Sequence, residues 1–422
     1  MQMVELRAHS RYDLLCYSLL AFPLAFAGLP IYIHAPDFYT TEFNVSLTSL
    51  GLILLVMRMI DAAQDPLIGF LSDKYRQFFK FTIGFGIILL ALGFWFLFHP
   101  NAEIPLLWFS VSTFLCATGF SIVSINFQSL GSLWKSDTEE RTRITGWREA
   151  IGLIGLLFAS ILPSGLMSFT DSQTAFHLIS LIFLPVLCLV GVFFFNWINK
   201  ATFIQSCLKV KTKTSSMFSS RWNLGFFTIF FFNSIASSIP AVLVLFFIRD
   251  RLEAQNLTGL FLFLYFTSGV IFMPVWHKIA CKNSKTKAWL VSMIVATLTF
   301  VWASILAKGD IISFGIICVL SGASLGADLA LPPSIIADHI VTKNDPESAS
   351  KYFSILTFLT KFSLAVSTGL MFPILDYLGY SPNIVITYSD TQYLAICYAL
   401  VPCFIKFVVF ILTWRFIKKF TL

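Results

Sequence analysis

The sequence predicts an all-α membrane protein in which twelve transmembrane helices form two six-helix bundles. Composition, recurrent apolar segments and the placement of Lys and Arg support this prediction. The 422 residues are 57% hydrophobic and only 12% charged, and their mean hydropathy is +0.80. A water-soluble domain of this size has a more polar composition. The composition therefore excludes a soluble globular protein and indicates an integral membrane protein.

Long apolar segments recur from one end of the chain to the other. Each has roughly 20 or more residues, enough to cross a hydrocarbon core of ~30 Å as a helix. The first segment follows a polar start and lacks a small-residue cleavage site, so we interpret it as a retained helix and not as a signal peptide. The predicted spans are approximately 13–34, 46–71, 80–99, 104–134, 142–168, 175–198, 223–248, 257–276, 287–307, 311–340, 351–375 and 391–414.

Lys and Arg between the spans fall almost entirely on the side of the N-terminal tail. The opposite side has only Arg249, Arg251 and Lys308. The positive-inside rule therefore predicts a multi-pass protein of the cytoplasmic (inner) membrane with both termini in the cytoplasm. The net charge of +7 is explained by this topology, so we expect membrane lipid and no nucleic acid as a partner.

The longest polar interruption divides the predicted spans into two sets of six. It predicts an N-terminal bundle over 1–198, a Lys- and Ser-rich cytoplasmic linker over 199–221 and a C-terminal bundle over 222–422. This arrangement is typical of the major facilitator fold, in which a substrate cavity lies near the bilayer midplane.

Two local features refine that prediction. Residues 69–76, from Gly69 through Asp73 to Arg76, partly match the cytoplasmic loop motif G-x-L-x-D-x-x-G-R of that superfamily. In the tenth span, the adjacent Pro332 and Pro333 predict a break in the helix, because each proline removes a helical hydrogen bond.

Four ionisable residues lie within apolar spans: Arg58, Asp61 and Asp65 in the second, and Lys361 in the eleventh. A charge near the bilayer centre costs at least ~2.5 to 3.5 kcal/mol, and such residues usually serve an ion or a substrate. Asp61 and Asp65 are four residues apart and share one helix face with Arg58. We expect the two carboxylates either to share a proton or to bind Na⁺ through hard oxygen ligands.

Helix rise places several polar groups at a similar depth. At ~1.5 Å per residue, Asp61, Asp328, Lys361 and the segment from Ser121 to Ser124 all lie about 15 to 20 Å from the predicted cytoplasmic surface. A central transport site belongs at that depth. We interpret Lys361 as a partner of the acidic pair that an incoming cation displaces; a permanent buried salt bridge is the alternative.

The remaining candidates concern the solute and the gates. We predict Ser124, Gln128, Arg148 and Asp328 as substrate-binding residues, with a helix-end anchor as the alternative for Arg148. Glu149 is expected to face away from Arg148 because the two are adjacent in sequence.

We predict Arg58, Asp73, Arg76 and Asp338 as gating residues, and Asp338 lies near the cytoplasmic end of the tenth span. Lys406 in the last span is interpreted as a snorkelling or packing residue.

The second span carries a pattern that resembles the glycoside-pentoside-hexuronide:cation symporters, the melibiose permease-like branch of the major facilitator superfamily. The pattern is R-x-x-D-x-x-x-D-P-x-x-G, from Arg58 to Gly69. Supporting matches are Ala337, Asp338, Ser354, Lys361, Gly379 with Pro382 and Asn383, and Thr391 with Gln392.

The resemblance implies a function and assigns residues to it. It implies that Asp61 and Asp65 bind the coupling Na⁺, Li⁺ or H⁺, with Lys361 beside them and Ser121 as a hydroxyl ligand. The sequence departs from galactoside carriers, because the first span from Leu14 onwards contains no acid. The fourth span has Ser124 and Gln128 where those carriers have an acid and a tryptophan.

The sequence therefore predicts a cation-coupled symporter of a small organic solute, a sugar or related molecule by resemblance, that works by alternating access. It needs no cofactor and no metal other than a possible Na⁺ at Asp61 and Asp65. A proton-coupled exporter or lipid-type flippase on the same fold is the alternative, and a non-transporting receptor or scaffold is a third hypothesis. No nucleophile-base or metal motif indicates an enzyme.

Overall fold

The computed structural model describes residues 9–43, 45–167, 169–204, 220–343, 345–379 and 388–420. Residues 205–219, most of the predicted linker, lie outside this description, as do Pro382 and Asn383 of the family pattern. Within the described ranges the chain is helical, and its sole β-type pairing is one isolated bridge between Trp134 and Phe203.

The helices follow the predicted spans closely. The described residues contain eleven helical segments that are long and apolar enough to cross a membrane, and a further 28-residue helix carries Arg58, Asp61 and Asp65. The helices are α1 Arg11–Ser18, α2 Ala21–Leu29, α3 Ala35–Phe43, α4 Leu47–Lys74, α5 Phe79–Leu97, α6 Pro105–Leu133, α7 Thr138–Met167, α8 Ser172–Lys200, α9 Arg221–Phe246, α10 Thr258–Lys282, α11 Lys285–Val301, α12 Ile311–Thr342, α13 Ala349–Tyr377, α14 Tyr388–Ala395 and α15 Val401–Phe420.

Three short π-helical segments extend these helices, and two of them lie beside a proline. Pro30 opens the segment Pro30–His34 in the first span, and Pro402 follows the segment Ile396–Leu400 in the last. A proline cannot donate a backbone hydrogen bond, and its ring clashes with the carbonyl of the preceding turn. The wider π turn relieves this conflict without ending the helix, and such turns are frequent at functional sites.

The predicted break at Pro332 and Pro333 is wrong. Helix α12 runs from Ile311 to Thr342 without interruption and holds both prolines inside it. Membrane helices tolerate such prolines when neighbouring groups satisfy the freed carbonyls.

The contacts divide the chain into two compact units. The first comprises residues 1–211 together with 336–358, and the second comprises 212–335 together with 359–422. The C-terminal end of α12 and the N-terminal end of α13 therefore belong to the first unit. The predicted division into bundles over 1–198 and 222–422 stays a prediction.

Aromatic packing joins α1, α6 and α8 in the first unit. The ring of Tyr17 is fully buried, and its centroid lies 4.6 Å from that of Phe127 and 4.8 Å from that of Trp197. The Tyr17 hydroxyl donates to the Phe127 carbonyl at 3.2 Å. A side chain at Gly131 would collide with this ring, so the glycine leaves the space that Tyr17 fills.

Small residues and hydrogen bonds join α10 to α12 in the second unit. The Ser268 hydroxyl donates to the carbonyl of Val319 at 2.6 Å, and the Trp276 indole donates to the carbonyl of Ala323 at the same distance. Gly322 lies against the backbone of α10, so close that an added Cβ would overlap it. Such close approaches are typical of helix pairs in membranes, where packing and not the hydrophobic effect holds helices together.

The crossing of α5 and α6 generates a prediction. A Cβ added at Gly119 would lie 2.5 Å from the Leu90 amide nitrogen and 2.7 Å from the Gly86 carbonyl oxygen. Because backbone atoms cannot rotate away, we expect Gly119→Ala to destabilise the protein by about 1 to 3 kcal/mol, measured as a lower melting temperature in detergent.

Gly84→Ala on α5 is the matched control. Its Cβ would meet only the Phe195 ring, at 3.6 Å, which is an ordinary contact. Equal melting temperatures for the two variants would contradict the close crossing.

Candidate functional site

The carboxylate of Asp61 is the centre of a polar cluster in the first unit. The side chain is 6% exposed. Its Oδ1 accepts hydrogen bonds from the Ser121 hydroxyl at 3.2 Å and from the Gln64 amide at 3.1 Å. Its Oδ2 accepts one from the Tyr32 hydroxyl at 3.3 Å. Three membrane-spanning segments thus converge on one carboxylate.

The π turn in the first span explains how Tyr32 arrives there. Tyr32 belongs to the segment Pro30–His34, and Arg58 on α4 lies over its ring, 4.7 Å from the centroid. This cation–π contact fixes the ring while its hydroxyl faces Asp61. Tyr32 was not among the predicted site residues, and the adjacent Pro30 was the one local sequence signal.

A second group of contacts holds the amide of Gln64. The Thr118 hydroxyl on α6 donates to Gln64 Oε1 at 3.1 Å, one turn before Ser121. Gln64 and Thr118 were also missed, although Gln64 lies three residues after Asp61 on the same helix face. The structure therefore adds an amide and a hydroxyl to the predicted ligand set.

Asp65 lies one turn beyond Asp61 on α4 and is fully buried. Two buried carboxylates one turn apart bring like charge into a region of low dielectric, which favours binding of a compensating cation. Carboxylate, hydroxyl and amide oxygens are the donors that hard cations prefer. The cluster can therefore hold a monovalent cation or a proton.

Lys361 lies on the part of α13 that belongs to the second unit, where its side chain is half-buried. Its predicted place beside the acidic pair stays a prediction.

The predicted solute residues of α6 and α7 form two separate polar groups. The Gln128 amide donates to the Ser124 hydroxyl at 3.1 Å. Arg148 is buried and its guanidinium donates twice to Glu149 Oε1, at 2.9 and 2.5 Å. The expectation that Glu149 faces away from Arg148 is therefore wrong, because the long side chains curl back towards each other.

The predicted gating residues Asp73 and Arg76 come together at the C-terminal end of α4. They form an ion pair, and Arg76 also donates to the carbonyl of Pro346. The Asp73 carboxylate accepts the backbone N–H groups of Ser350 and Lys351, each at 2.9 Å. Those N–H groups open α13, where a negative charge is favourable.

Asp338 pairs with Arg141, a residue that the sequence analysis did not single out. Arg141 Nη1 lies 2.9 Å from Asp338 Oδ1, and its Nη2 donates to the Ser136 carbonyl at 2.7 Å. Asp345 lies between α12 and α13, and burial raises the pKa of its carboxyl group above the ordinary value.

Arg58 is the fourth predicted gating residue. Its guanidinium lies over the Tyr32 ring and not with the other three predicted gating residues.

Asp328 lies in a cavity within the second unit. Its Oδ1 accepts the Trp289 indole N–H at 2.8 Å, and its Oδ2 lies 2.5 Å from the Lys406 ammonium and 3.5 Å from the Ser237 hydroxyl. Lys406 is therefore not a snorkelling residue: its side chain is 10% exposed and forms a buried ion pair. The predicted solute-binding role of Asp328 stays a prediction.

Comparisons with known proteins identify a transporter family. The family model described as MFS/sugar transport protein matches residues 16–417. The uncharacterized symporter YjmB of Bacillus subtilis is 24% identical, over 84% of this chain and 81% of its own length. The sodium-dependent lysophosphatidylcholine symporter 1-A of Danio rerio is 19% identical, over 90% of this chain and 80% of its own length.

The fold has a solved counterpart. The Escherichia coli fucose:proton symporter FucP superposes with a TM-score of 0.70 at 16% identity, covering 96% of this chain and 98% of its own. At this identity the likeness shows the fold alone, and it confirms the predicted major facilitator fold.

The contacts of Asp73 generate a prediction. Asp73→Ala would leave one guanidinium and two backbone N–H groups without their buried acceptor. We expect a loss of about 2 to 4 kcal/mol in the free energy of unfolding, less than the 3 to 5 kcal/mol of a fully buried pair. Asp376→Ala, an exposed acid near the other end of α13, is the control. Melting curves in detergent measure both, and an Asp73 variant as stable as the control would contradict the contacts.

Proposed function

Because the chain belongs to the MFS/sugar transport protein family, we propose that it couples the movement of an organic solute to Na⁺ or H⁺ by alternating access. The family makes it a multi-pass membrane transporter of the symporter type and not an enzyme. We also propose that both termini lie in the cytoplasm. The proposed cation site comprises Asp61, Asp65, Ser121 and Lys361. Lys361 keeps the role that the family resemblance gives it.

The buried Asp61 carboxylate and its three hydrogen-bond donors carry the proposal. Ser121, Gln64 and Tyr32 each place an oxygen or amide against Asp61 from a different segment. When a cation arrives, the hydroxyl oxygens can turn their lone pairs towards it, so protein oxygens replace its water shell. A proton bound to one of the two carboxylates would compensate the negative charge of the pair in the same way. A site of this kind loads either Na⁺ or H⁺.

The membrane potential supplies a driving force for such a carrier. Moving one elementary charge across it is worth ~2.3 kcal/mol per 100 mV. In major facilitator proteins the two halves rock about a central site, and two compact units in the chain support this mode of movement. The solute is a sugar or related molecule by family, and the Ser124–Gln128 pair offers hydroxyl and amide contacts for it.

Removing the Asp61 charge tests the proposal. We expect Asp61→Asn to weaken cation binding by more than about 100-fold and Ser121→Ala by about 10-fold, since even indirect ligand partners are worth 10- to 100-fold. Thermal stabilisation of the purified protein by Na⁺ and Li⁺, and across a pH series, measures binding. Asp37→Asn, an exposed acid on α3, is the control. Cation-dependent stabilisation that persists in Asp61→Asn would refute the assignment.

A proton-coupled exporter or lipid-type flippase is the second candidate function. One observation favours it: the first span has no acid between Leu14 and Pro36. The lysophosphatidylcholine symporter among the relatives supports a lipid-like solute only, because that protein is sodium-dependent by name. Solute efflux from proteoliposomes, driven by a proton gradient and indifferent to Na⁺, would support this candidate over the first.

A further inference from the structure

The end of the second unit at which α9 begins and α15 ends is strongly basic. Aromatic contacts hold the helix ends together there: the Trp222 and Phe416 ring centroids lie 5.5 Å apart, and those of Phe226 and Trp289 lie 6.1 Å apart. A short turn joins α10 to α11 at the same end. Four helix ends thus form one surface, which we call the basic face. Its cations are Arg221, Lys278, Lys282, Lys285, Lys287, Arg415, Lys418 and Lys419.

The acids of the second unit lie away from the basic face. In the described part of that unit they are Asp250, Glu253, Asp310, Asp328, Asp376 and Asp390, which lie within spans or at the opposite helix ends. Lys285 is buried and the other cations of the face are exposed. Among the described residues, none of these exposed cations has a carboxylate within ion-pair distance. The sequence just before α9 adds Lys209, Lys211 and Lys213 and no acid.

The first unit mixes both signs of charge where its helices begin on the same predicted side of the membrane. Asp13 lies in the first turn of α1, and Glu139 and Glu140 lie in the first turn of α7. Glu140 pairs with Arg143 at 3.1 Å. The positive-inside rule counts Lys and Arg, and acids contribute little to it. Topology therefore explains the cations of the basic face but not the absence of acids from it.

Helix dipoles add to the positive potential of the basic face. Helices α9 and α11 both begin there, and neither has an acid in its first turn. The first turn of α11 instead carries Lys285 and Lys287, although a helix N-terminus favours negative charge. The cations and the helix N-termini have the same sign, so a negative group from outside the chain would stabilise this face.

Helix α15 indicates where that negative group comes from. Phe407 is 55% exposed, as expected of a side chain that faces lipid. Two turns later Trp414 is 48% exposed, and the Lys418 ammonium lies 3.8 Å from its ring centroid. Exposed tryptophans of membrane helices are enriched at the level of the lipid headgroups. Lys418 and Lys419, which follow Trp414, therefore lie where lipid phosphates are.

We propose that the basic face binds anionic phospholipids, such as phosphatidylglycerol, through their headgroup phosphates in the leaflet that it faces. Clusters of four to eight Lys and Arg residues beside membrane helices are suited to this role. In the topology proposed above the leaflet is the cytoplasmic one, so the choice of leaflet rests on the proposed function. The binding itself rests on the charges and contacts of the second unit.

Matched lipids test the binding. Purified full-length protein in detergent, with dilute choline chloride as the salt, is titrated with dioleoylphosphatidylglycerol or dioleoylphosphatidylcholine while melting temperatures are recorded. We expect phosphatidylglycerol to stabilise the protein at lower concentration, and molar choline chloride to weaken this effect by screening. Inorganic phosphate, which lacks acyl chains, should have no comparable effect. Equal stabilisation by the two lipids, or by phosphate, would overturn the proposal.

Variants then assign the effect to the basic face. We expect Lys418→Gln/Lys419→Gln to weaken phosphatidylglycerol binding by about 10- to 30-fold, because each charge is worth about 5-fold, the equivalent of ~1 kcal/mol. Lys74→Gln/Lys343→Gln, which removes two exposed cations of the first unit, is the matched control. Unchanged affinity in the first double variant, or an equal loss in the control, would contradict the assignment.

Two further double variants test the charge and the extent of the face. Lys418→Arg/Lys419→Arg keeps both charges, so it should retain the binding, and a loss like that of the Gln variant would contradict an electrostatic role. Lys282→Gln/Lys287→Gln changes the turn between α10 and α11 and should weaken binding to a similar degree. No effect of this variant would contradict a single face formed by several helices.

Labelling of Cys281 tests the choice of leaflet separately. This exposed cysteine lies near the end of α10, beside Lys282. In right-side-out vesicles we expect a membrane-impermeant maleimide to label it only after permeabilisation, with Cys281→Ser as the control. Labelling of intact vesicles would overturn the cytoplasmic orientation of the proposed function and leave the lipid site standing. Protected Cys281 without selectivity for phosphatidylglycerol would overturn the lipid site and leave the orientation standing.

Discussion

The structure depends on one physical constraint: each ionised or polar group within a span must find a partner inside the protein. An unsatisfied charge in hydrocarbon costs several kcal/mol. Helix α4 meets this constraint for Asp61 by recruiting donors from the first span and from α6, and Arg58 of the same helix lies on the Tyr32 ring. The polar cluster therefore determines which helix faces pack together in the first unit, as well as what that unit can bind.

Backbone groups obey the same constraint, and the prolines show how. At Pro30 the chain widens into a π turn, and this irregular turn places the Tyr32 hydroxyl on Asp61. At Pro332 and Pro333 the helix continues without such a change. At the C-terminal end of α4, Asp73 accepts two of the first N–H groups of α13 and pairs with Arg76. The irregular π turn at Pro30 thus lies next to the polar cluster of Asp61.

The sequence predicted the twelve long helices well, because hydropathy and length determine a membrane span. The family resemblance placed Ser121 in the predicted cation site, and the structure shows its hydroxyl 3.2 Å from the Asp61 carboxylate. It missed Tyr32 and Gln64, because a neutral polar residue in an apolar helix gives no signal of the direction in which it points. The snorkelling interpretation of Lys406 was wrong for a related reason: a lone lysine has the same sequence signature whether it snorkels or pairs with a distant acid.

The two buried acids have different chemistry although both are carboxylates. Tyr32, Ser121 and Gln64 donate hydrogen bonds to the Asp61 carboxylate from neutral groups. Asp328 accepts the Trp289 indole N–H and pairs with the Lys406 ammonium, so its charge is compensated within its own unit. Hydroxyl and amide groups can turn their oxygens towards a bound cation, whereas an ammonium has no acceptor to offer, so the Asp61 cluster suits a cation better than the Asp328 pair does.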